Sequence, residues 1–400
     1  MMKTKIFTEN LTEAAALIKA GELVAVPTET VYGLAGNGLD AAAVEKIYEV
    51  KGRPAIKPLA LMVPDAGEME KYCDNVPQQA KFLAEKFWPG PLSIVLKSKA
   101  LVPEIVRAGG ATVSLRCPDH PMTLELLRLS ELPFAAPSAN PSGEPSPKNA
   151  ETVRQYFDGK IGGIIDGGEC GLGRESTIID MSKTPYKILR QGALPEAEIR
   201  AALAENVRKI GITGGTGCGK TTALLELQKA GALIIDCDAV YHEMLQNDEV
   251  MLADIRREFP AAFIDGAFDR KALGNIVFAN EEKLCKLNNI THGHIIRRVQ
   301  SIIEDFAVQG GEAVGIDAVA LIESGIAKEC DAVIGVVASR EKRIERIMLR
   351  DRISREYAEK RVDAQKTETF YIENCDYVVR NDGSEKEFEN EIKNILKEVL

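Results

Sequence analysis

The stretch from Ile210 to Thr222 constrains this chain more than any other, and it lies in the middle of the chain. An apolar run leads into Gly214, then four residues, then Gly219, Lys220 and Thr221. This is the spacing of a phosphate-binding P-loop. Gly214, Gly215, Gly217 and Gly219 let the backbone curl so that successive N–H groups point at a phosphate. Lys220 is placed to reach the β- and γ-phosphates of ATP. The Thr221 hydroxyl is placed to hold Mg²⁺, with Thr222 beside it in the nucleotide-binding set. Such a loop follows the first strand of its own domain. A nucleotide-binding domain therefore starts near residue 207, and the preceding half must be something else.

Composition sets the outer bounds. Four hundred residues suggest two or three domains. No run of about 18 apolar residues offers a membrane span. The N-terminal residues carry no apolar signal core, so a cytoplasmic location is expected. The eight cysteines are scattered without a C-x-x-C pair, which argues against a zinc site or a disulfide framework. Residues 1–200 carry 23 basic against 25 acidic side chains, and residues 201–400 carry 27 against 35. Neither half has the basic excess of a duplex-binding protein, and no stable nucleic-acid binding is expected.

Periodicity gives the organisation. In the first half, Leu23 to Pro27, Ser93 to Leu96, Thr112 to Arg116, Ile161 to Asp166 and Thr177 to Asp180 read as strands. Ala41 to Tyr48 has helical spacing, and Pro133 to Pro147 reads as a loop. A helix over Glu196 to Asn206, with Pro195 suited to its first turn, joins the halves. The second half continues with a strand over Val207 to Thr213, a helix from Thr221 to Ala230 and a strand over Leu233 to Asp236. Further strands cover Val314 to Asp317 and Ala332 to Val337, with helical segments Glu281 to Leu287 and Ile295 to Phe306 between. Alternating strands and helices imply a parallel sheet covered on both faces.

The second strand after the P-loop ends in Asp236-Cys237-Asp238. Carboxylates there sit at the sheet edge where ligands bind. One of them can take a proton from an attacking hydroxyl; the plainer alternative makes Asp238 a helix N-cap. Further signals are Phe268-Asp269-Arg270 with Leu273, Leu287-Asn288 with His292, Asp317 with Glu323, Arg343 with Arg346 and Arg350, Gln365, and Asp376 to Asn381. On these residues, positions 208–400 resemble the dephospho-CoA kinase family. The resemblance implies a three-layer α/β/α P-loop kinase with a parallel sheet. It would move the ATP γ-phosphate to the ribose 3′-hydroxyl of dephospho-CoA, the last step of coenzyme A biosynthesis. The family's catalytic base falls on Asp238, and its lid cations fall on Arg346 and Arg350. Two departures stand out. Gly293 follows His292 where the family has Pro, and the acceptor-side segment 317–323 lacks the family's Pro and Phe.

The first half offers a series of weaker signals. Pro27-Thr28-Glu29-Thr30-Val31-Tyr32-Gly33-Leu34 follows a buried strand. Lys51, Arg53 and Lys57 crowd a proline-stiffened loop that can form a rigid anion site, the alternative being a solvated charge cluster. Trp88-Pro89-Gly90-Pro91-Leu92, Ser138 with Asn140, Glu175-Ser176-Thr177 and Leu189-Arg190-Gln191-Gly192 complete the series. In this order, over residues 10–200, they resemble the YrdC-like threonylcarbamoyl-AMP synthase family. That implies an α/β fold with a twisted open sheet and a basic concave site. It also implies conversion of L-threonine, bicarbonate or CO₂, and ATP to threonylcarbamoyl-AMP and pyrophosphate. The product would feed modification of adenosine 37 in tRNA, which makes tRNA-modifying proteins indirect partners. In this resemblance Lys51 and Arg53 act at the reacting anions with Lys57 beside them. Thr30 and Tyr32 orient the amino acid, and Arg116, Ser138, Asn140, Ser176 and Arg190 hold the nucleotide. The sequence thus reads as a bifunctional enzyme with domains 1–205 and 206–400. An RNA-binding module in the first half and a kinase for another small acceptor in the second are the competing readings.

Overall fold

The computed structural model describes residues 3–318 and 320–400. It divides into two compact units, residues 3–203 with 308–310 and residues 204–307 with 311–400.

The first unit is built on one open, mixed sheet. Its strands are β1 (Lys5–Phe7), β2 (Val24–Val26), β3 (Gly33–Asn37), β4 (Ala60–Met62), β5 (Leu92–Lys97), β6 (Thr112–Arg116), β7 (Phe134–Ala135), β8 (Gly163–Ile165), β9 (Thr177–Asp180) and β10 (Lys187–Arg190). They lie in the order β1-β8-β2-β3-β7-β4-β6-β5-β9-β10. The open sheet implied for this half is present, and it is mixed rather than parallel like that of the second unit. The connections β2–β3 and β5–β6 bring sequential strands together antiparallel, while β1–β8, β2–β8, β4–β6 and β5–β9 pair parallel. Helices Thr12–Lys19 and Pro121–Ser130 cover one part of it. Their Ala14, Ile18, Leu126 and Leu127 pack with Val24, Val26, Phe134 and Ile165 in a closed apolar cluster. Phe134–Ala135 is a short strand within the Pro-rich segment read as a loop. Its edges are taken by β3 and β4, and Phe134 is fully buried.

The helix that carries the anion loop, Ala41–Lys51, has defined ends. The Asp40 side chain accepts from Ala42 N at 3.0 Å, a cap contributing about 1 kcal/mol. Gly52 closes the helix at φ 60°, in the left-handed region. The helix runs three residues past Tyr48 and so takes Lys51 into its last turn, away from the loop.

The second unit has an all-parallel sheet. Its strands are β11 (Arg208–Thr213), β12 (Leu233–Asp236), β15 (Ala313–Asp317), β16 (Ala332–Val337) and β17 (Tyr377–Arg380), ordered β12-β15-β11-β16-β17, with a separate hairpin of β13 (Phe263–Ile264) and β14 (Ala267–Phe268). Every residue of β16 is buried, as expected of a parallel strand covered on both faces. Helices Lys220–Lys229 and Glu385–Val399 set Ala223, Leu227, Phe388, Ile392 and Leu396 against Ile210, Ile212, Ile334 and Val336. A capping box of Ser384 and Glu387 starts the last helix.

The segments 281–287 and 295–306, read separately from the sequence, belong to one helix, Glu281–Val308. No proline interrupts it, and Thr291 sends its hydroxyl back to Leu287 O at 3.0 Å. His294 is the buried histidine of this helix, 2.9 Å from Asp254 Oδ2. His292, two residues earlier and so on nearly the opposite face of the helix, is half-buried, and burial pulls its imidazole below the usual range. No helix among the described residues is long and apolar enough to cross a membrane.

Candidate active sites

Strand β11 delivers the chain to the P-loop, and the helix Lys220–Lys229 leaves it. Two glycines are required here by space and by conformation. A Cβ on Gly214, at φ 147°, would stand 2.3 Å from Val336 O, and one on Gly219, at φ 104°, would stand 2.2 Å from Asn381 Nδ2. The loop borders a cavity of about 710 Å³. Gly214, Gly215, Gly217, Gly219, Lys220 and Thr221 line it, and Arg346 and Arg350 face them from the helix Arg340–Asp351. Thr222 is outside this lining; its N–H continues the helix to Gly219 O at 3.1 Å.

Residues from the last third of the chain hold the loop by its carbonyls. Buried Arg343 donates through Nε to Thr216 O at 3.0 Å. Arg346 donates to Gly217 O at 3.3 Å, and Asn381 Nδ2 donates to Cys218 O at 2.8 Å. Gln365 takes Thr216 N at 2.8 Å and gives a bond to Thr216 Oγ1 at 2.7 Å. With three successive carbonyls bonded on one side, the planar peptides turn their N–H edges the other way; the Cys218 N–H bonds back to Gly215 O at 3.2 Å, which leaves those of Gly217 and Gly219 for a phosphate. Arg343, Gln365 and Asn381 therefore shape the loop, a role that the motif spacing did not give them.

Lys220 Nζ lies 2.8 Å from Asp317 Oδ1, both side chains being about one-fifth exposed. Asp317 ends β15 in register with Asp236 at the end of β12. The helix-capping alternative for Asp238 is settled by its neighbour. Asp236 is the N-cap of helix Cys237–Asn247, accepting from Asp238 N at 2.9 Å and Ala239 N at 3.0 Å. Asp238 stands in the first helical turn. Burial, then the charges of Asp236 and Asp317, hold its carboxyl above the usual range, while Lys220 opposes the shift. Asp238 is not among the residues lining the P-loop cavity. From the acceptor-side segment, Ala320 and Glu323 do line it; Val319 lies outside the described residues. Among the described residues, no group of three or more His, Cys, Asp or Glu side chains is arranged to hold a metal ion.

The first unit has a smaller cavity, about 160 Å³. Of the sequence-expected residues, Tyr32, Arg53, Arg116, Ser138, Ser176 and Arg190 line it. Arg116 ends β6, Ser176 immediately precedes β9 and Arg190 ends β10, which brings the three together. Arg190 donates to Ser176 O at 3.1 and 2.9 Å, and Ser176 Oγ is 2.8 Å from Ser93 Oγ. Arg116 is buried and donates to Glu29 at 2.7 Å, Thr30 Oγ1 at 2.8 Å and Gly90 O at 3.2 Å. Burial lowers the Arg190 guanidinium below its ordinary range; Glu175 opposes that shift, and Arg116 and Arg53 add to it. Three guanidinium groups thus share one field, which favours an anion among them.

Four expected residues are placed differently. Thr30 is fully buried behind Arg116, bonded to it and to Thr28. Lys51 is buried beneath the loop, its ammonium directed to the carbonyls of Ser138 and Asn140. Burial, then the Arg53 charge, pulls Lys51 down to about 7. Asn140 points its amide at Pro141 O and Glu144 O. Lys57 is exposed and outside the lining. The three cations therefore do not form one cluster: Lys51 braces the 138–140 loop, and Arg53 alone reaches the cavity. Tyr32 lines the cavity, but its hydroxyl is committed, donating to Gly168 O at 2.8 Å and accepting from Gly167 N at 3.2 Å. Burial pushes that phenol up to about 12. Ser93 and Glu175 are lining residues too; the sequence reading gave neither a role, Ser93 standing only at the start of a strand and Glu175 only beside Ser176 in a polar corner.

Comparison with known proteins gives two adjacent matches. Residues 16–192 match the family profile Sua5_yciO_yrdC, described as telomere recombination, and residues 208–387 match CoaE, dephospho-CoA kinase. A threonylcarbamoyl-AMP synthase of Pyrococcus abyssi is 49% identical over 192 residues, 48% of this chain and 56% of that protein. The chain thus spans little more than half the length of that relative. A threonylcarbamoyl-AMP synthase of Mus musculus is 34% identical over 200 residues, 48% of this chain and 69% of that protein. A solved structure of P. abyssi Sua5 complexed with L-threonine is 29% identical, with a TM-score of 0.49, covering 84% of this chain and 99% of that one.

Proposed function

We propose a function from one premise: the chain belongs to the Sua5/YciO/YrdC family through its first unit and carries a dephospho-CoA kinase domain in its second. On this reading the chain is a bifunctional cytoplasmic enzyme with domains 1–205 and 206–400. The first makes threonylcarbamoyl-AMP and pyrophosphate from L-threonine, bicarbonate or CO₂, and ATP. Its product serves the modification of adenosine 37 in tRNA. The second phosphorylates dephospho-CoA with ATP.

The observation that carries the first activity is the convergence of Arg53, Arg116 and Arg190 on one cavity. The threonine ammonium first gives up a proton; the freed amine nitrogen then bonds to the carbon of CO₂ and loses a second proton, giving a carbamate. A carbamate oxygen then attacks the α-phosphorus of ATP, and the bond to pyrophosphate breaks. Two anions must approach each other in this step. Guanidinium groups already fixed by Ser176 and Glu29 stabilise the charge without reorganising. Lys51 acts indirectly, by holding the loop that presents Ser138.

The observation that carries the second activity is the capture of three P-loop carbonyls by Arg343, Arg346 and Asn381. The N–H groups of Gly217 and Gly219 are thereby left for the phosphates, those of Thr216 and Cys218 being taken by Gln365 and Gly215. Lys220 exchanges Asp317 for the transferring phosphoryl group. Asp238 accepts the proton of the ribose 3′-hydroxyl as that oxygen bonds to the γ-phosphorus, and ADP leaves. Burial and the charges of Asp236 and Asp317 strengthen its hold on that proton. Mg²⁺ fits this site: the Thr221 hydroxyl lines the cavity and the Asp317 carboxylate stands beside Lys220. Oxygen donors of this kind suit a hard cation that keeps several waters. When bound, it neutralises charge on the phosphate oxygens.

The test is direct. The purified chain is given ATP with threonine and bicarbonate, and pyrophosphate is measured; separately it is given ATP with dephospho-CoA, and ADP is measured. Absence of one product removes the corresponding half of the proposal.

A further inference from the structure

The cavity of the first unit contains a charge that an anion site does not need. Three guanidinium groups line it, and so does one carboxylate, that of Glu175. The other nearby acid, Glu29, is already consumed: it pairs with Arg116 at 2.7 Å and accepts from Asp119 N at 3.0 Å, and it is not a lining residue. Glu175 is held differently. Its Oε1 accepts from Ser146 Oγ at 2.8 Å. Its backbone carbonyl accepts from Ala193 N at 2.9 Å, and a Cβ on Gly192 would come within 2.3 Å of that same oxygen. The main chain at this position is therefore fixed from one side and the carboxylate from the other. Among the described residues, Glu175 forms no ion pair and its Oε2 has no hydrogen-bond donor, although its charge is felt by Arg190.

A carboxylate fixed among phosphate-binding cations repels phosphates. It favours one kind of partner, a cation that enters the same cavity. ATP, bicarbonate and pyrophosphate are anions. An α-amino acid is a zwitterion: its carboxylate suits the guanidinium groups, and its ammonium suits Glu175. One small molecule then satisfies both signs of charge within about 160 Å³.

We infer that Glu175 is a specificity-determining residue of the first unit, its unshared oxygen accepting a charge-assisted hydrogen bond from the ammonium of the amino-acid substrate. The inference rests on the synthase reading for the identity of that amino acid. It extends the reading by naming the group that distinguishes an amino acid from a hydroxy acid. A carboxylate–ammonium contact in a half-buried site is stronger than a neutral one, so its loss should weaken binding on the order of tenfold.

The test is calorimetric titration of the full chain with L-threonine and with 3-hydroxybutyrate, which keeps the carboxylate and the β-hydroxyl and lacks the amine. Glu175→Gln keeps the bond from Ser146 and removes the charge. The expected result is a loss of about tenfold in threonine affinity with 3-hydroxybutyrate changed less than twofold. Threonine affinity within twofold of wild type overturns the inference. So does an equal loss for both ligands, which would mark a structural role. A shift confined to the Mg²⁺ dependence of ATP binding also overturns it, since Glu175 would then serve the metal. Should Glu175→Gln fail to fold by circular dichroism, the same pair of titrations on Glu175→Ala decides. Pyrophosphate release by the wild type is measured independently. If wild type binds threonine with the predicted discrimination but releases no pyrophosphate, the synthase reading falls and the Glu175 assignment stands. If pyrophosphate is released and Glu175→Gln binds threonine normally, the reverse holds.

Discussion

Asn381→Ala tests whether carbonyl capture positions the P-loop. Asn381 is buried, and its Nδ2 donates to Cys218 O at 2.8 Å while its Oδ1 accepts from Arg346 at 3.1 Å. Truncation leaves the Cys218 carbonyl without its donor, at a cost of about 1–3 kcal/mol. Arg346 loses less, because its stronger bond, 2.8 Å to the backbone oxygen of Asn381, survives. A total near 2 kcal/mol is expected, which lowers the melting temperature of the second unit by about 4–8 °C. If the loop must be rebuilt whenever ATP binds, the same energy appears as an increase of up to about 30-fold in KM for ATP. Differential scanning calorimetry and dephospho-CoA-dependent ADP release are read on one preparation. Threonine-dependent pyrophosphate release serves as the internal control and should not change. A mutant that melts lower but keeps its KM for ATP would refute the reasoning, since the bond would then be structural only.

Other substitutions probe separate parts of the account. Lys220→Ala should reduce kinase turnover by about 100-fold or more, the usual effect of removing one charge stabiliser at a reacting group, while threonine-dependent turnover is unchanged. Asp238→Asn should lower kinase turnover with little change in melting temperature; Asp236→Ala should cost about 1 kcal/mol of stability, because Asp236 is the cap. Lys51 is expected to give a pH signature in stability. Its ammonium is lowered from 10.5 to about 7 in the folded chain. Between those values the unfolded chain binds more protons, so stability rises with pH across that window, by up to about 1.4 kcal/mol per unit, and no contribution is gained below it. Chemical denaturation at pH 7, 8 and 9 should show the slope in wild type and lose it in Lys51→Met.

Local chemistry made some of this structure legible. Thr112–Arg116, Thr177–Asp180, Leu233–Asp236 and Ala332–Val337 are strands within the bounds their apolar runs mark. Gly33–Asn37 was not legible, because two glycines and an asparagine weaken intrinsic strand preference; it exists because β2 and β7 pair with it on either side. The long helix through Asn288, Asn289 and Gly293 likewise overrides local preference by packing Leu287, Ile295, Val299 and Ile303. The P-loop could be read because its groups are contiguous. Its supports could not: Arg343 reaches Thr216 across 127 residues and Asn381 reaches Cys218 across 163. The first-unit cavity gathers residues from strands that only the sheet order brings together. Sequence proximity therefore misplaced Lys51 and Lys57, whose spacing suggested a shared anion site and whose burial differs completely.

The central claim is that two separate sites on one chain perform two reactions. The direct measurement assays wild type, Arg190→Ala and Lys220→Ala side by side for threonine-dependent pyrophosphate release and dephospho-CoA-dependent ADP release. The account predicts both products from wild type, loss of pyrophosphate alone in Arg190→Ala, and loss of the dephospho-CoA-dependent product alone in Lys220→Ala. Loss of both products in either variant, or wild type yielding only one, would contradict it.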